Sequence, residues 1–344
     1  MKEIYRAGAE RMAAVFTDMA VASCKSGKGI LVFVHKSVDG DCVGSACAAC
    51  LIFASLGAKA KVAMPEELPE TMNFMGVKDL LLIPGTDDGQ LTEYGYALVT
   101  DCAESHRMGV RGELFESFDD PAIVDHHELT GFSGDNKWIL PQASSASEMI
   151  YCIAVKIAES LKRPLGDILD PVAAGCILTG IVTDTGRFTY SNTRPETLEA
   201  AGVLAELGGS ITDVCHNLFD RKRVSQFFLS NTVCSKARLL CGGRLAIAAV
   251  TRAMFNDFNA CDGDIDDVVS RLRDIDGVEL AVVLRETPDG TLRGNLRSKT
   301  SFDCSLFAGN YGGGGHKRAA GFTVEGITIG DLYEDIIKKA ESLL

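Results

Sequence analysis

The chain has 344 residues, of which 46% are hydrophobic and 24% charged, and its formal net charge is −13. That length exceeds the usual single core and predicts two domains, while the composition excludes a disordered chain. The acidic balance excludes a protein that tracks a long nucleic-acid backbone, whose affinity would come from a basic stripe neutralising phosphates; a nucleic-acid substrate should be short and held by local charges and metal ions. The N-terminal stretch carries Glu3, Glu10 and Asp18, so it lacks the uninterrupted apolar run of an export signal. No stretch approaches the apolar length of a membrane span. Twelve cysteines are dispersed through apolar and helical segments, unlike a small secreted disulfide scaffold. The C-x-x-C pair Cys47 and Cys50 has no second pair to complete a zinc site. A cytoplasmic location is expected.

In chain order, residues 29–35 (GILVFVH) predict a strand, SACAACLIFASLG a helix ending at Gly57, and KAKVAM a second strand. YALVTDCA (96–103) and PAIVDHH (121–127) repeat the form of a short apolar run followed by a polar cluster. Continuous apolar runs suit strands buried on both faces of a parallel sheet covered by helices. In such sheets ligands bind beyond the carboxyl ends of the strands, where His35, Asp101 and Asp125-His126-His127 fall. Two helical stretches follow, SASEMIYCIAVKIAESL and PVAAGCILTGIV, the second leading into TDTGRFTYSNT. The pattern predicts a first domain over 1–192, a helical connector over 193–240 and a smaller α/β domain over 241–344. That last part reads as RLAIAAV (strand), IDDVVSRLRDI (helix), two strands across a Pro288-Asp289-Gly290 turn, a short helix, a glycine run, the strand AAGFTVEG and a closing helix.

The chemistry concentrates at the strand ends. His35-Lys-Ser-Val-Asp39-Gly-Asp41 places an imidazole and two carboxylates within one loop, where residues two apart can serve different metals. Asp101, Asp125-His126-His127 and Asp184, within TGIVTDTG, add further acids and imidazoles. Adjacent buried carboxylates repel unless cations neutralise them. Two divalent ions about 4 Å apart, sharing a bridging carboxylate, would meet that need. Carboxylate and imidazole together suit manganese, magnesium, iron or zinc, and the oxygen-rich mix suits manganese best. In the second domain, the glycines of Tyr311-Gly-Gly-Gly-Gly-His316 let the backbone approach an anion closely, beside Arg297-Ser298-Lys299.

Together these motifs resemble the DHH phosphoesterase family with its DHH-associated C-terminal domain, and within it the nanoRNase and pAp phosphatase (bifunctional oligoribonuclease) type. Asp125-His126-His127 is the namesake triplet, and the motifs run from residue 35 to 322. One departure is Val38, where the family usually has proline. The resemblance implies a parallel-sheet α/β domain with helices on both faces, a smaller α/β domain, and an active site in the cleft between them. It implies one metal on His35, Asp39 and Asp101 and another on Asp41, Asp101, His126 and Asp184, with Asp101 bridging. Asp125 would orient a histidine, His127 would face the phosphate and assist the leaving oxygen, and a metal-bridging hydroxide would be the nucleophile. Arg297, Ser298, Gly313, Gly314, Gly315 and His316 would hold the substrate.

The expected function is hydrolysis of short oligoribonucleotides (nanoRNA) to mononucleotides and removal of the 3′-phosphate of pAp. Cyclic di-AMP or pApA phosphodiesterase activity is the nearest alternative. A non-catalytic nucleotide sensor is a third reading, but such a protein should have lost metal ligands, and all six candidates are present. No long duplex nucleic acid and no membrane is expected as a partner; homodimerisation is left open.

Overall fold

The computed structural model describes residues 3–127 and 134–344 and divides into two compact units, Met1–Arg221 and Lys222–Leu344. The first unit runs α1 (Glu3–Ser26), β1 (Gly29–Phe33), α2 (Gly40–Ser55), β2 (Ala60–Ala63), β3 (Leu81–Leu82), β4 (Tyr94–Thr100), α3 (Gly112–Glu116), β5 (Ala122–Asp125), β6 (Lys137–Ile139), α4 (Ala146–Leu161), α5 (Pro171–Asp184), α6 (Pro195–Glu206) and α7 (Ile211–Cys215). Its strands pair in parallel throughout, in the order β3-β2-β1-β4-β5-β6. The apolar runs are continuous because both faces are buried. Ile30, Val32, Leu98 and Val124 join a core with α1, α2, α4 and α5. Leu31, Phe33, Val99 and Ile123 join another around Met108 and Phe115.

The second unit runs α8 (Val224–Lys236), β7 (Arg238–Leu240), β8 (Leu245–Val250), α9 (Arg252–Asp257), α10 (Val268–Arg273), β9 (Leu280–Glu286), β10 (Leu292–Ser298), α11 (Cys304–Gly309), β11 (Gly314–His316), β12 (Ala319–Val324) and α12 (Ile329–Glu341). Its sheet is mixed, in the order β11-β12-β10-β9-β8-β7, with β8 and β9 parallel and the other pairs antiparallel. One face packs on α11 and α12, while residues of β8 and β9 on the other pack on α8 and α10. The segment read as a connector is shared: α6 and α7 complete the first unit and α8 opens the second. Helix α2 begins at Gly40, five residues before the predicted start, because Asp39 supplies its N-cap. Among the described residues no helix is long and apolar enough to cross a membrane.

Candidate active site

The first sheet reverses its strand order between β1 and β4, the place where parallel α/β sheets open a crevice at their carboxyl ends. His35 follows β1 and Asp101 follows β4, one on each side of that point. Asp101 adopts a left-handed backbone (φ 59°), a region that Asp and Asn enter more readily than other non-glycine residues. Its carboxylate is buried and divided: Oδ2 lies 3.3 Å from His35 Nε2 and Oδ1 lies 3.3 Å from His126 Nε2. Oδ1 has no well-formed hydrogen bond, an orphaned acceptor at the centre of the site.

The flanking ligand candidates are fixed by helix ends. Asp39 caps α2, its Oδ1 accepting from the N–H groups of Asp41 and Cys42 (3.0 Å each), which leaves Oδ2 3.6 Å from His35 Nε2. Asp41 is fully buried and accepts from the first turn of α4, Oδ2 from Ala146 N (2.6 Å) and Oδ1 from Ser147 N (2.9 Å). Anions are favoured at such an N-terminus. Asp184, the last residue of α5, lies beside them because α5 packs closely on α2. A β-carbon on Gly44 would overlap the carbonyl of Cys176, and one on Gly180 would overlap Ser147 Oγ and Asp41 Oδ1. His126 Nε2 then faces Asp184 Oδ2 (3.1 Å), Asp101 Oδ1 and Asp41 Oδ2 (3.8 Å). All six residues expected to bind metal are thus gathered. Donor atoms of His35, Asp39 and Cys42, of Asp101, His126 and His127, and of Asp41, His126 and Asp184 form three groups, each within 4.8 Å.

The electrostatics are those of a cluster short of positive charge. Burial, then the charges of Asp101 and Asp184, pushes Asp41 well above the usual carboxylate range. Burial also raises Asp184, outweighing the help of His126. Burial would lower the pKa of His126, but the carboxylates of Asp101, Asp184 and Asp41 that face it outweigh that and hold it raised. His35 behaves likewise: burial lowers, while Asp101, the Lys36 carbonyl and Asp39 together raise it. The surrounding carboxylates thus favour the charged form of both imidazoles, as they would favour a cation. His35 Nδ1 bonds the Lys36 carbonyl (2.8 Å), which directs its other nitrogen to the carboxylates as a metal ligand would require.

Asp125 is fully buried, and its Oδ1 accepts from the N–H of His127 (3.0 Å) and pairs with His127 Nδ1 (2.8 Å). That leaves Nε2 of the partly exposed His127 as the working nitrogen. Val38, the departure from the family pattern, donates its N–H to Glu66 Oε1 (2.9 Å). A proline could not make that bond. Two features escaped the sequence reading. Cys42 lies against His35 and Asp39, but burial, then Asp39 and Asp101, pushes its thiol well up, and its sulfur accepts from the Asp39 N–H (3.4 Å). Asn192 Nδ2 donates to the carbonyls of Asp184 (3.0 Å) and Ser144 (2.9 Å), tying the end of α5 to the start of α4.

In the second unit, Arg297 pairs with Ala319, and Ala319 with His316. Directly paired residues share a face, so Arg297 and His316 stand on one side of the sheet, roughly 10 Å apart across β12. On that side β10, β12 and β11 present Arg293, Asn295, Arg297, Thr323 and His316, all exposed or half-buried. The helices that cover this face bury residues of β8 and β9. The glycine run is not a free loop. Gly314 and Gly315 enter edge strand β11, and Gly313 donates its N–H to the Ala308 carbonyl (3.0 Å). A β-carbon on Gly313 or Gly315 would collide with β12. Ser298, next to Arg297, points the opposite way; it is buried, with its hydroxyl on the Phe302 carbonyl (2.7 Å).

The chain is similar to known proteins over most of its length. The DHH family, N-terminal domain, matches residues 29–181, and the DHHA1 domain matches residues 242–344. The bifunctional oligoribonuclease and PAP phosphatase NrnA of Thermus thermophilus is 30% identical over 312 residues, 90% of this chain and 88% of that protein. An exopolyphosphatase-related protein from Bacteroides fragilis superposes with a TM-score of 0.84 at 22% identity, over 96% of this chain and 97% of that one. Exonuclease RecJ bound to manganese has the same fold, with a TM-score of 0.58 at 15% identity over 98% and 95% of the two chains.

Proposed function

We propose, from the premise that the chain belongs to the DHH family and is a phosphoesterase, that it hydrolyses very short oligoribonucleotides to mononucleotides and removes the 3′-phosphate of pAp. The observation that carries this reading is the divided carboxylate of Asp101, one oxygen toward His35 and the other toward His126. Four carboxylates and two imidazoles with an orphaned central acceptor fit a pair of divalent cations. One would be held by His35, Asp39 and Asp101, the other by Asp41, Asp101, His126 and Asp184. Manganese suits the donor set, with magnesium the alternative, and manganese is the ion bound by RecJ. Such ions, when bound, acidify water and offset phosphate charge.

The chain's own residues do the rest. Asp125 accepts from the Nδ1–H of His127 and so turns Nε2 outward, where the imidazolium form would donate its Nε2 proton to a leaving oxygen. Arg297 offers a phosphate two parallel hydrogen bonds, and His316 adds a second donor on the same face. We assign the enzyme to the cytoplasm, a reading supported by its twelve free thiols. The test is phosphate release from pAp and mononucleotide release from RNAs of two to five residues, beside pApA and cyclic di-AMP, each with manganese and with chelator. Manganese-dependent turnover of pAp and the short RNAs is expected. Preference for cyclic di-AMP or pApA would move the substrate assignment, and folded protein inert on all four would return the sensor reading.

A further inference from the structure

Glu148 is a carboxylate that the metal cluster does not use, yet it is only 1% exposed. Its oxygens are spent on three donors from separate parts of the first unit. Oε2 accepts from the Tyr5 hydroxyl of α1 (3.1 Å) and from Ser144 N (2.7 Å), and Oε1 accepts from the Thr197 hydroxyl of α6 (3.1 Å). Its own N–H donates to Ser145 Oγ, the cap of α4 (3.0 Å). The same turn supplies the Ala146 and Ser147 N–H groups that hold both oxygens of Asp41. The first turn of α4 therefore has two ends to secure: its backbone grips a ligand carboxylate, and Glu148 bolts it to α1 and α6.

Packing does not explain the choice of residue. A buried carboxylate is costly, and an apolar side chain of similar volume often serves a core as well or better. What a carboxylate adds is direction, since its lone pairs fix where three donors sit. We propose that Glu148 is a positioning residue for the phosphoesterase reaction: it sets the register of the α4 first turn so that Asp41 is presented to the metal. This rests on the metal-centre reading above. Gly180 leaves no slack for a shifted turn, because Ser147 Oγ and Asp41 Oδ1 already occupy the space a β-carbon would need.

The experiment is Mn²⁺ titration by calorimetry on the full-length protein, for wild type, Glu148→Gln, Tyr5→Phe and His35→Ala, with the Mn²⁺ dependence of pAp turnover measured in parallel. Glu148→Gln keeps the shape but points an amide at existing donors. It should stay folded by circular dichroism and weaken one class of Mn²⁺ sites by about 10–100-fold, the usual effect of removing a group behind a ligand, while the other class is unchanged. Excess Mn²⁺ should then restore its kcat. Tyr5→Phe should show the same pattern more weakly, and His35→Ala should weaken the other class. A wild-type isotherm for Glu148→Gln would overturn the inference, as would equal weakening of both classes, which marks general loosening. Wild-type protein that takes up no Mn²⁺ would overturn the metal-centre reading itself.

Discussion

Asp101 is the residue on which the site turns, and its left-handed backbone makes the choice of variant matter. Alanine at a φ of 59° would add backbone strain to the loss of charge, so Asp101→Asn is the cleaner change. Asparagine tolerates that backbone and keeps the shape but cannot carry the charge that two cations would share. Turnover of pAp should fall by about 100-fold or more, as a ligand should matter at least as much as the groups behind it. Near-wild-type turnover at saturating manganese would show that Asp101 does not bridge. His127→Ala should instead keep its metal content and lose about 10²–10⁴-fold in kcat, the range for a positioned proton donor. Equal loss of metal would make His127 a ligand. At this scale the sequence was informative where chemistry and strand ends coincide, as at His35 and Asp101. It was silent where a partner lies far along the chain: nothing near Val38 announces Glu66, and nothing near Glu148 announces Tyr5 or Thr197. Ser298 shows the limit of a motif, since its neighbour Arg297 takes the open face and strand geometry gives Ser298 the core.

Among elements, the close contact of α2, α4 and α5 brings Asp184 to Asp41. Gly180→Ala should cost about 1–3 kcal/mol of stability by overpacking and weaken metal uptake as well. Denaturant unfolding and Mn²⁺ titration read the two effects, and unchanged metal binding in a destabilised variant would separate helix packing from site assembly. The second unit has its own electrostatic clasp. Glu279 accepts from Thr300 N (3.2 Å), Ser301 N (2.7 Å) and Phe302 N (2.7 Å) after β10. Burial raises its pKa, but these bonds and that from the Thr300 hydroxyl outweigh it and hold the carboxyl down from 4.5 to about 2. Because the folded value is the lower one, this stabilisation is full above the unfolded value and is lost as pH falls through that window. Glu279→Gln should cost about 2 kcal/mol at neutral pH, and the gap to wild type should close on acidification; a gap independent of pH would contradict the charge-based account. Strands β1, β4 and β5 were legible as unbroken apolar runs. The short strands β3, β6 and β7 carry too few residues for any period to appear, and β11 was hidden because its glycines read as a loop until β12 is there to be approached.

For the whole molecule, the net charge of −13 sets the terms on which a polyanion can bind. Each phosphate beyond those gripped locally meets a repulsive field, so turnover per molecule should fall steeply from RNA dimers and trimers to chains of roughly two dozen nucleotides. Equal rates at fixed salt would indicate a processive exonuclease. The two domains were legible from length and from the restart of the strand pattern after residue 241; the division at Arg221 and Lys222 was not, because α6 to α8 share one helical composition and differ in which core receives them. The central claim is that one carboxylate joins two cations in a hydrolytic centre. It is tested most directly by titrating Mn²⁺ into metal-free protein while binding stoichiometry and pAp hydrolysis are followed together. Two ions per chain are expected, with turnover appearing as the second binds and both lost in Asp101→Asn. Full activity with one ion per chain, or undiminished activity in chelator, would contradict it.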